Sequence, residues 1–503
     1  MSGRLSVWAV FGAFGCLCAL TLGRGFYSSD GEVMFQTTAA LAQRGTLALP
    51  PDPGLPQIVA GRGGRYYSKY DPGLPLLAVP FFVAGDRLAA VNHAHRTTIA
   101  AISVLLVSAL AAAGALAALA ALAGRLAPGQ TARALLVVAS AGLATPLWWY
   151  GRVLFPEAVL ACALTLAVWL AARAEGSRKG WLLAGAALGA GMLVRASLAI
   201  YALPLAWLVL SPHPRSARMR LTAPSPCMER GQAERGEAGG EVNKALSTRS
   251  SHDKHSRMAR LVWLLAGTVP FAAALLAHNA LRFGDPLATG YAGESFSTAP
   301  WTGIGGLLLS PGKGVWLYAP PLLLGALLWP RFRREHPALG EFLALAWALA
   351  LPFYGMWWAW DGGWGWGPRL LVPLLPLSCL PLLTLPARRG WWAAALCALV
   401  LGAGLNIAGI LSDPVAHYAD VATRCADPAG CVAWTVRDAP LVGAVRLLAD
   451  GRSEPLALFH LAGTGLPRTW SVGALALLIA GALAAGWRLA RATSPRGQRH
   501  GPP

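Results

Sequence analysis

About twenty apolar residues in a row are enough to cross the hydrocarbon core of a bilayer, and this chain repeats that pattern from end to end. Apolar runs fall at about 5–22, 97–124, 132–150, 155–173, 181–211, 261–281, 303–329, 338–356, 370–386, 391–411 and 469–489, with a broken run at 73–91. Inside lipid every backbone polar group needs an internal partner, so only helices and closed barrels can span. Runs this rich in Ala and Leu are helices. The fold class is therefore all-α: a polytopic membrane protein, 55% apolar and only 13% charged. A net charge of +19 is of the size that nucleic-acid binders carry. The Lys and Arg residues, however, lie between the apolar runs instead of on one soluble face, so they act as orientation signals and no nucleic-acid partner is expected.

Those charges set the topology. The first run follows Arg4 and lacks a clear small-x-small cleavage site, which makes it an uncleaved anchor. The run 73–91 is interrupted by Pro75, Pro80, Gly85, Asp86 and Arg87. If it does not cross, then Arg125, Arg133, Arg173, Arg178, Lys179, the basic stretch 212–260, Arg331, Arg333, Arg334, Arg388, Arg389 and the tail all share the cytoplasmic side. If it crosses, all of them move outside. The reading is thus about twelve transmembrane helices, both termini cytoplasmic, and 73–91 an interfacial helix after the first outer loop. The run 181–211 has basic flanks at both ends, so it must cross and return, with its apex at Arg195 on the outer side. The expected organisation is an N-terminal transmembrane module 1–211 with outer loop 23–72, then a disordered basic linker 212–260. A C-terminal module 261–489 with outer loop 412–468 and a cytoplasmic tail 490–503 complete the chain.

Chemistry belongs to the outer face, where the polar elements gather. Asp30 and Glu32 stand two apart in Tyr27-Ser28-Ser29-Asp30-Gly31-Glu32, directly after the first membrane exit. A carboxylate that stays ionised beside the bilayer suits a general base meeting a lipid-borne reactant, and equally suits a cap on the helix that follows. Cys425 and Cys431 flank a Pro/Gly turn in an outer loop, where a disulfide is favoured over a metal site because no third Cys or close His accompanies them.

Three stretches then carry a resemblance. Arg24-Gly25-Phe26-Tyr27-Ser28-Ser29-Asp30-Gly31-Glu32, Ala40-Leu41-Ala42-Gln43-Arg44-Gly45-Thr46-Leu47 and Gly64-Arg65-Tyr66-Tyr67-Ser68-Lys69-Tyr70-Asp71-Pro72-Gly73-Leu74-Pro75 together resemble the front end of GT-C fold membrane glycosyltransferases. These are the polyprenyl-phosphate-sugar-dependent enzymes related to protein O-mannosyltransferases and aminoarabinose transferases. The resemblance continues along the chain in Thr145-Pro146-Leu147 with Phe155-Pro156-Glu157, in Leu309-Ser310-Pro311-Gly312-Lys313-Gly314, and in Gly365-Trp366-Gly367-Pro368-Arg369.

The resemblance implies an inverting transfer from a polyprenyl-phosphate-linked sugar donor to a hydroxyl on a glycan, lipid or protein acceptor, at the outer face of the plasma (inner) membrane. Asp30 would be the base, and Glu32 its support or a partner in holding a divalent cation such as Mg or Mn. Glu157 would be the second acid of the site and, with Asp30, a metal ligand, although the family more often has Asp there. The bland reading of Glu157 is a carboxylate favoured by a helix N-terminus. A lipid phosphate calls for fixed positive charge, for which Lys69, Arg195, Lys313 and Arg369 are the candidates, with snorkelling near helix ends the alternative for the last two. Five tryptophans between Trp357 and Trp366 exceed what an interfacial belt requires, which makes Trp360 and Trp364 candidates for stacking on sugar or lipid. A transporter or lipid flippase is the competing function. It fits less well, because the acidic residues cluster at the outer face instead of the midplane.

Overall fold

The computed structural model describes residues 6–91, 95–174, 177–211, 237–454, 456–462 and 468–493. Helix α1 (Val7–Leu20) starts at Ser6, whose side chain accepts from the Ala9 amide. Helix α2 (Ser29–Arg44) is capped by Ser28, which accepts from the Gly31 amide, and closes on Gly45 in the left-handed region. Asp30 therefore lies inside the first turn, not ahead of the helix, and the cap is the serine two residues earlier.

Between α2 and α3 (Gly73–Leu88) the chain forms a small antiparallel sheet, β1 (Ala48–Leu49), β2 (Ile58–Ala60) and β3 (Tyr66–Ser68), in the order β1-β3-β2. This is a departure from a purely helical chain. Its strands are two or three residues long, too short to leave a period in the sequence. The sheet delivers Lys69, Tyr70 and Asp71 to the start of α3. There Gly73 sits against the end of the helix Arg178–Val194: a Cβ on it would lie 2.5 Å from the Val194 amide nitrogen. Along α3, Leu76, Leu77 and Leu88 are exposed while Leu74, Ala78 and Phe82 are buried, the two-faced pattern of a helix lying at an interface.

The apolar runs appear as helices close to their expected bounds. Among the described residues, Arg96–Leu126 (α4), Arg257–Phe283, Pro337–Gly355 and Arg389–Leu411 are long and apolar enough to cross by themselves. Shorter apolar helices include α1, α5 (Thr131–Leu143) and Gly473–Gly486. Helices pack closely where residues are small, as membrane helices do. A Cβ at Gly185 would lie 1.9 Å from the Leu264 carbonyl oxygen, and one at Gly267 2.0 Å from that of Leu182, so the helix Arg178–Val194 and the helix ending at Phe283 are in backbone contact.

Three runs are not single helices. The run 132–150 ends as α-helix at Leu143 and resumes for one turn, Leu147–Tyr150, after Thr145-Pro146. The run 303–329 is broken by 310–314 into Pro300–Leu309, Val315–Tyr318 and Pro321–Glu335. Over 369–384 the chain alternates 3₁₀ and α turns, because Pro373, Pro376 and Pro381 remove donors from the ladder. Irregular backbone is tolerated at membrane depth only inside protein, and every residue from Arg369 to Thr384 is buried. The long linker also differs from expectation. Residues 212–236 lie outside the described residues, but from Glu237 the backbone is helical and runs on into Phe283. Residues 494–503 of the tail likewise lie outside the described residues.

The run 181–211 turns at Arg195, which ends the helix Arg178–Val194; the return limb is the 3₁₀ segment Ala196–Tyr201 and the helix Ala202–Leu210. Arg195 thus comes to the same end of the bundle as α2. Residues of the loop that follows the helix Arg389–Leu411 reach that end too. Glu454 accepts from the Tyr27 hydroxyl at 2.9 Å and pairs with Arg24 at 3.1 Å, and the Ala457 amide donates to the Leu22 carbonyl. Cys425 and Cys431 are disulfide-bonded in this loop, as their setting predicts.

Candidate active site

The site is assembled around Arg369, which is 6% exposed and separated from its partners by hundreds of residues of sequence. Its Nε donates to Glu157 Oε1 at 2.7 Å and one Nη donates to Asp30 Oδ2 at 2.9 Å. The guanidinium lies over the Phe155 ring, 4.2 Å from the centroid. Gly362 permits this placement. Its φ is +70°, and a Cβ there would lie 2.8 Å from the Arg369 Cβ, so the glycine-rich loop closes onto the arginine stem. Glu157 opens the helix Glu157–Arg173 and is 1% exposed; its Oε1 also accepts from Arg195 at 3.1 Å. Two carboxylates and two arginines from four separate elements form one chain of contacts, Arg195–Glu157–Arg369–Asp30.

Asp30 is bounded on its other side by Tyr70, whose hydroxyl donates to Oδ1. Gln57 Nε2 approaches the same oxygen at 3.5 Å and bonds Ser29 Oγ at 2.6 Å. Burial alone would raise the Asp30 carboxyl. The Arg369 charge and the hydrogen bonds from Tyr70 and Arg369 outweigh it and hold the group below its ordinary value.

A cavity of about 420 Å³ opens beside this chain of charges. Its polar lining includes Arg195, Asp71, Ser197 and Glu294, and its walls include Tyr291, Tyr354, Phe353, Trp357, Ile200 and Leu370. A mainly apolar hollow with a few convergent polar groups is the usual form of a small-molecule site. Asp71 accepts from the Ala196 amide at 2.8 Å, and burial pushes its carboxyl up to about 6. Lys69 stands at the cavity edge, bonded to Glu294 Oε1 at 2.6 Å and facing the Tyr70 and Tyr291 rings. Glu294 Oε2 in turn accepts from Trp358 Nε1 at 2.8 Å.

Of the residues singled out in sequence, Asp30, Glu157, Arg195 and Arg369 come together, with Lys69 next to them. The other four do not join them. Glu32 is two positions along α2 and so faces elsewhere; its Oε1 accepts from Gln36 within the same helix at 3.1 Å. Lys313 is fully buried, donating to the Gly363 carbonyl at 2.7 Å and to the Gly365 carbonyl and Tyr418 hydroxyl at 3.0 Å each. Trp364 stacks on Tyr418 with ring centroids 5.4 Å apart, and Trp360 packs on Trp434 and against Gly306. Trp357 lines the cavity in their place. Tyr70, Asp71, Tyr291 and Glu294 were missed as site residues. The first two lie inside the Lys69-Tyr70-Asp71-Pro72 motif, where their types alone could have drawn notice.

Residues 76–224 match the family model described as dolichyl-phosphate-mannose-protein mannosyltransferase, a segment that holds Glu157 and Arg195. Two solved structures share the overall fold, both covering 96% of this chain and 76% of the other: ArnT from Cupriavidus metallidurans bound to undecaprenyl phosphate (TM-score 0.51, 16% identity) and ArnT in the apo state (TM-score 0.50, 14% identity). No curated protein matches the chain. The chain is a polytopic α-helical membrane protein with the GT-C fold of the ArnT structures, and over residues 76–224 it carries the mannosyltransferase family signature.

Proposed function

We propose that this protein is a membrane glycosyltransferase that moves a sugar from a polyprenyl-phosphate donor to an acceptor hydroxyl on a glycan, lipid or protein, at the extracytoplasmic face of the inner membrane. The observation that carries the reading is the Asp30–Arg369–Glu157–Arg195 chain beside a largely apolar cavity, in a chain with this fold and family signature.

The acceptor hydroxyl attacks the anomeric carbon from the face opposite the lipid phosphate, and Asp30 takes its proton as the new glycosidic bond forms. Inversion at that carbon follows from a single displacement. The phosphate leaves already charged and needs no strong acid, only fixed positive charge. Arg195, which lines the cavity, supplies it, joined by Lys69 once the phosphate competes with Glu294 for its ammonium. The isoprenoid chain finds apolar wall at Ile200, Phe353 and Leu370.

A divalent cation on Asp30 and Glu157 fits this arrangement poorly. Arg369 already donates to both carboxylates and Arg195 to one of them, so an added dication would face two guanidinium groups. Arg369 takes the bridging position instead. Transfer that disappears in a chelator and returns with Mg or Mn would overturn that assignment. The transferase reading is tested with purified protein in proteoliposomes given a labelled polyprenyl-phosphate sugar and a hydroxyl acceptor. A covalent product supports it. Movement of intact donor lipid between leaflets with no covalent product would establish the flippase instead.

A further inference from the structure

We infer that Tyr70 is a positioning residue for the transfer, setting the orientation of the Asp30 carboxylate through a hydrogen bond from its hydroxyl to Oδ1. This rests on the reading of Asp30 as the base.

The tyrosine is built into place from several sides. It is 6% exposed. Its amide donates to Ser68 Oγ at 3.1 Å, and its carbonyl accepts from Arg282 at 3.0 Å. Arg282 is itself buried and steadied by Asn279 at 2.9 Å. The Tyr70 ring meets Tyr291 edge-on at 6.3 Å and carries the Lys69 ammonium 5.5 Å from its centroid. The loop segment at Gly290 presses on the same stretch, since a Cβ there would lie 2.3 Å from the Lys69 Cα. A ring held this firmly keeps its hydroxyl at one point.

The consequence falls on Asp30. A carboxylate gripped only by Arg369 at Oδ2 can swing about that contact. With Tyr70 on Oδ1 and Arg369 on Oδ2 the plane of the group is set, and Oδ2, which Gln57 does not approach, keeps a lone pair for an incoming hydroxyl. The groups facing Asp30 are Arg369 from the proline-rich segment, Tyr70 and Gln57 from the sheet region, and more distantly Arg195 and Tyr291. Tyr70 is the one among the close contacts that is neutral, a donor and rigid. It stays a donor, because burial and the neighbouring carboxylate raise its hydroxyl far above its ordinary value.

The experiment compares Tyr70→Phe, Asp30→Asn and site-specific 3-fluorotyrosine at position 70 in the full-length protein in proteoliposomes, following kcat, donor KM and the pH profile. Loss of one hydrogen bond to a charged group predicts a fall in kcat of about ten- to a hundredfold for Tyr70→Phe. Donor KM stays within about twofold, and the acidic limb moves up by about one pH unit. Fluorotyrosine, a stronger donor of the same shape, moves that limb the opposite way, a signature that a merely structural role would not give. Should Tyr70→Phe fail to fold, the fluorotyrosine protein alone decides. An unmoved limb with wild-type kcat in the folded variants, while Asp30→Asn is inactive, overturns the inference on Tyr70. Full activity in Asp30→Asn overturns instead the reading on which it rests.

Discussion

Two buried cations sit on either side of the same glycine- and tryptophan-rich loop, and they are partnered in opposite ways. Arg369, just after the loop, lies between two carboxylates. Lys313, beneath it, has carbonyls and a tyrosine hydroxyl and no carboxylate within hydrogen-bonding reach among the described residues. A buried charge with neutral partners fastens backbone and offers nothing to a substrate. A guanidinium shared by acids on α2 and on the helix Glu157–Arg173 joins elements that a reaction could use together, and it does so at the edge of a cavity. The comparison separates a clamp from a site, although sequence alone lists both residues as cations near an outer face.

The largest effect that would sharpen this contrast comes from Arg369→Gln. It leaves Asp30 and Glu157 without their shared partner in a buried setting, where removing one member of an ion pair costs about 3–5 kcal/mol. Transfer should fall by about a thousandfold or more. If Arg369→Gln keeps wild-type turnover, the arginine is not part of the site. Lys313→Met should act mainly through stability. It strips a donor from the Gly363 and Gly365 carbonyls, each loss costing about 1–3 kcal/mol. The expected outcome is a lower Tm, with donor KM in the surviving folded fraction within about twofold of wild type. A several-fold rise in KM at unchanged Tm would return Lys313 to the phosphate-binding set and dissolve the distinction. The smallest effect belongs to Glu32→Gln, whose side chain, among the described residues, bonds to Gln36 within α2. Its activity should stay within about twofold of wild type, and a hundredfold loss would show that Glu32 takes part after all.

Much of the fold was legible because the bilayer imposes its own period. The apolar runs gave most helices within a few residues, and charge asymmetry located the turn at Arg195 before any contact was known. The sequence misread breaks that depend on single residues: Thr145-Pro146, the turn 310–314, and the prolines between 369 and 384 divide runs whose hydropathy stays uniform. The small sheet escaped notice because strands of two or three residues carry no alternation.

At the site, residue type and charge singled out Asp30, Glu157, Arg195 and Arg369, and the structure brings these four side chains into contact. Their pairing was not legible, since Asp30 and Arg369 stand 339 residues apart and nothing local couples them. Glu32 stood beside Asp30 by sequence proximity, but two positions along a helix do not share a face, and its side chain bonds Gln36 in α2. The tryptophans misled for a related reason. Their number signals packing around glycines as readily as ligand stacking, and only the structure shows Trp360 and Trp364 turned onto Trp434 and Tyr418 while Trp357 meets the cavity.

pH offers a further handle on the same region. The Asp30 carboxyl, held below its ordinary value, stays ionised as pH falls, so its contribution to activity should persist through the range in which an ordinary carboxylate gains its proton. Asp71, pushed up to about 6, gains its proton earlier. An acidic limb near pH 6 that vanishes in Asp71→Asn would therefore belong to the cavity wall and not to the base.

The central claim is that Asp30 takes the acceptor proton, and it is tested most directly by single-turnover transfer of labelled sugar from a polyprenyl-phosphate donor in wild-type and Asp30→Asn proteoliposomes, with donor binding measured on the same preparations. The amide keeps the size of the carboxyl and loses its basicity. The expected result is donor binding within a few-fold of wild type with transfer reduced by about a thousandfold or more. Wild-type transfer by Asp30→Asn would contradict the account.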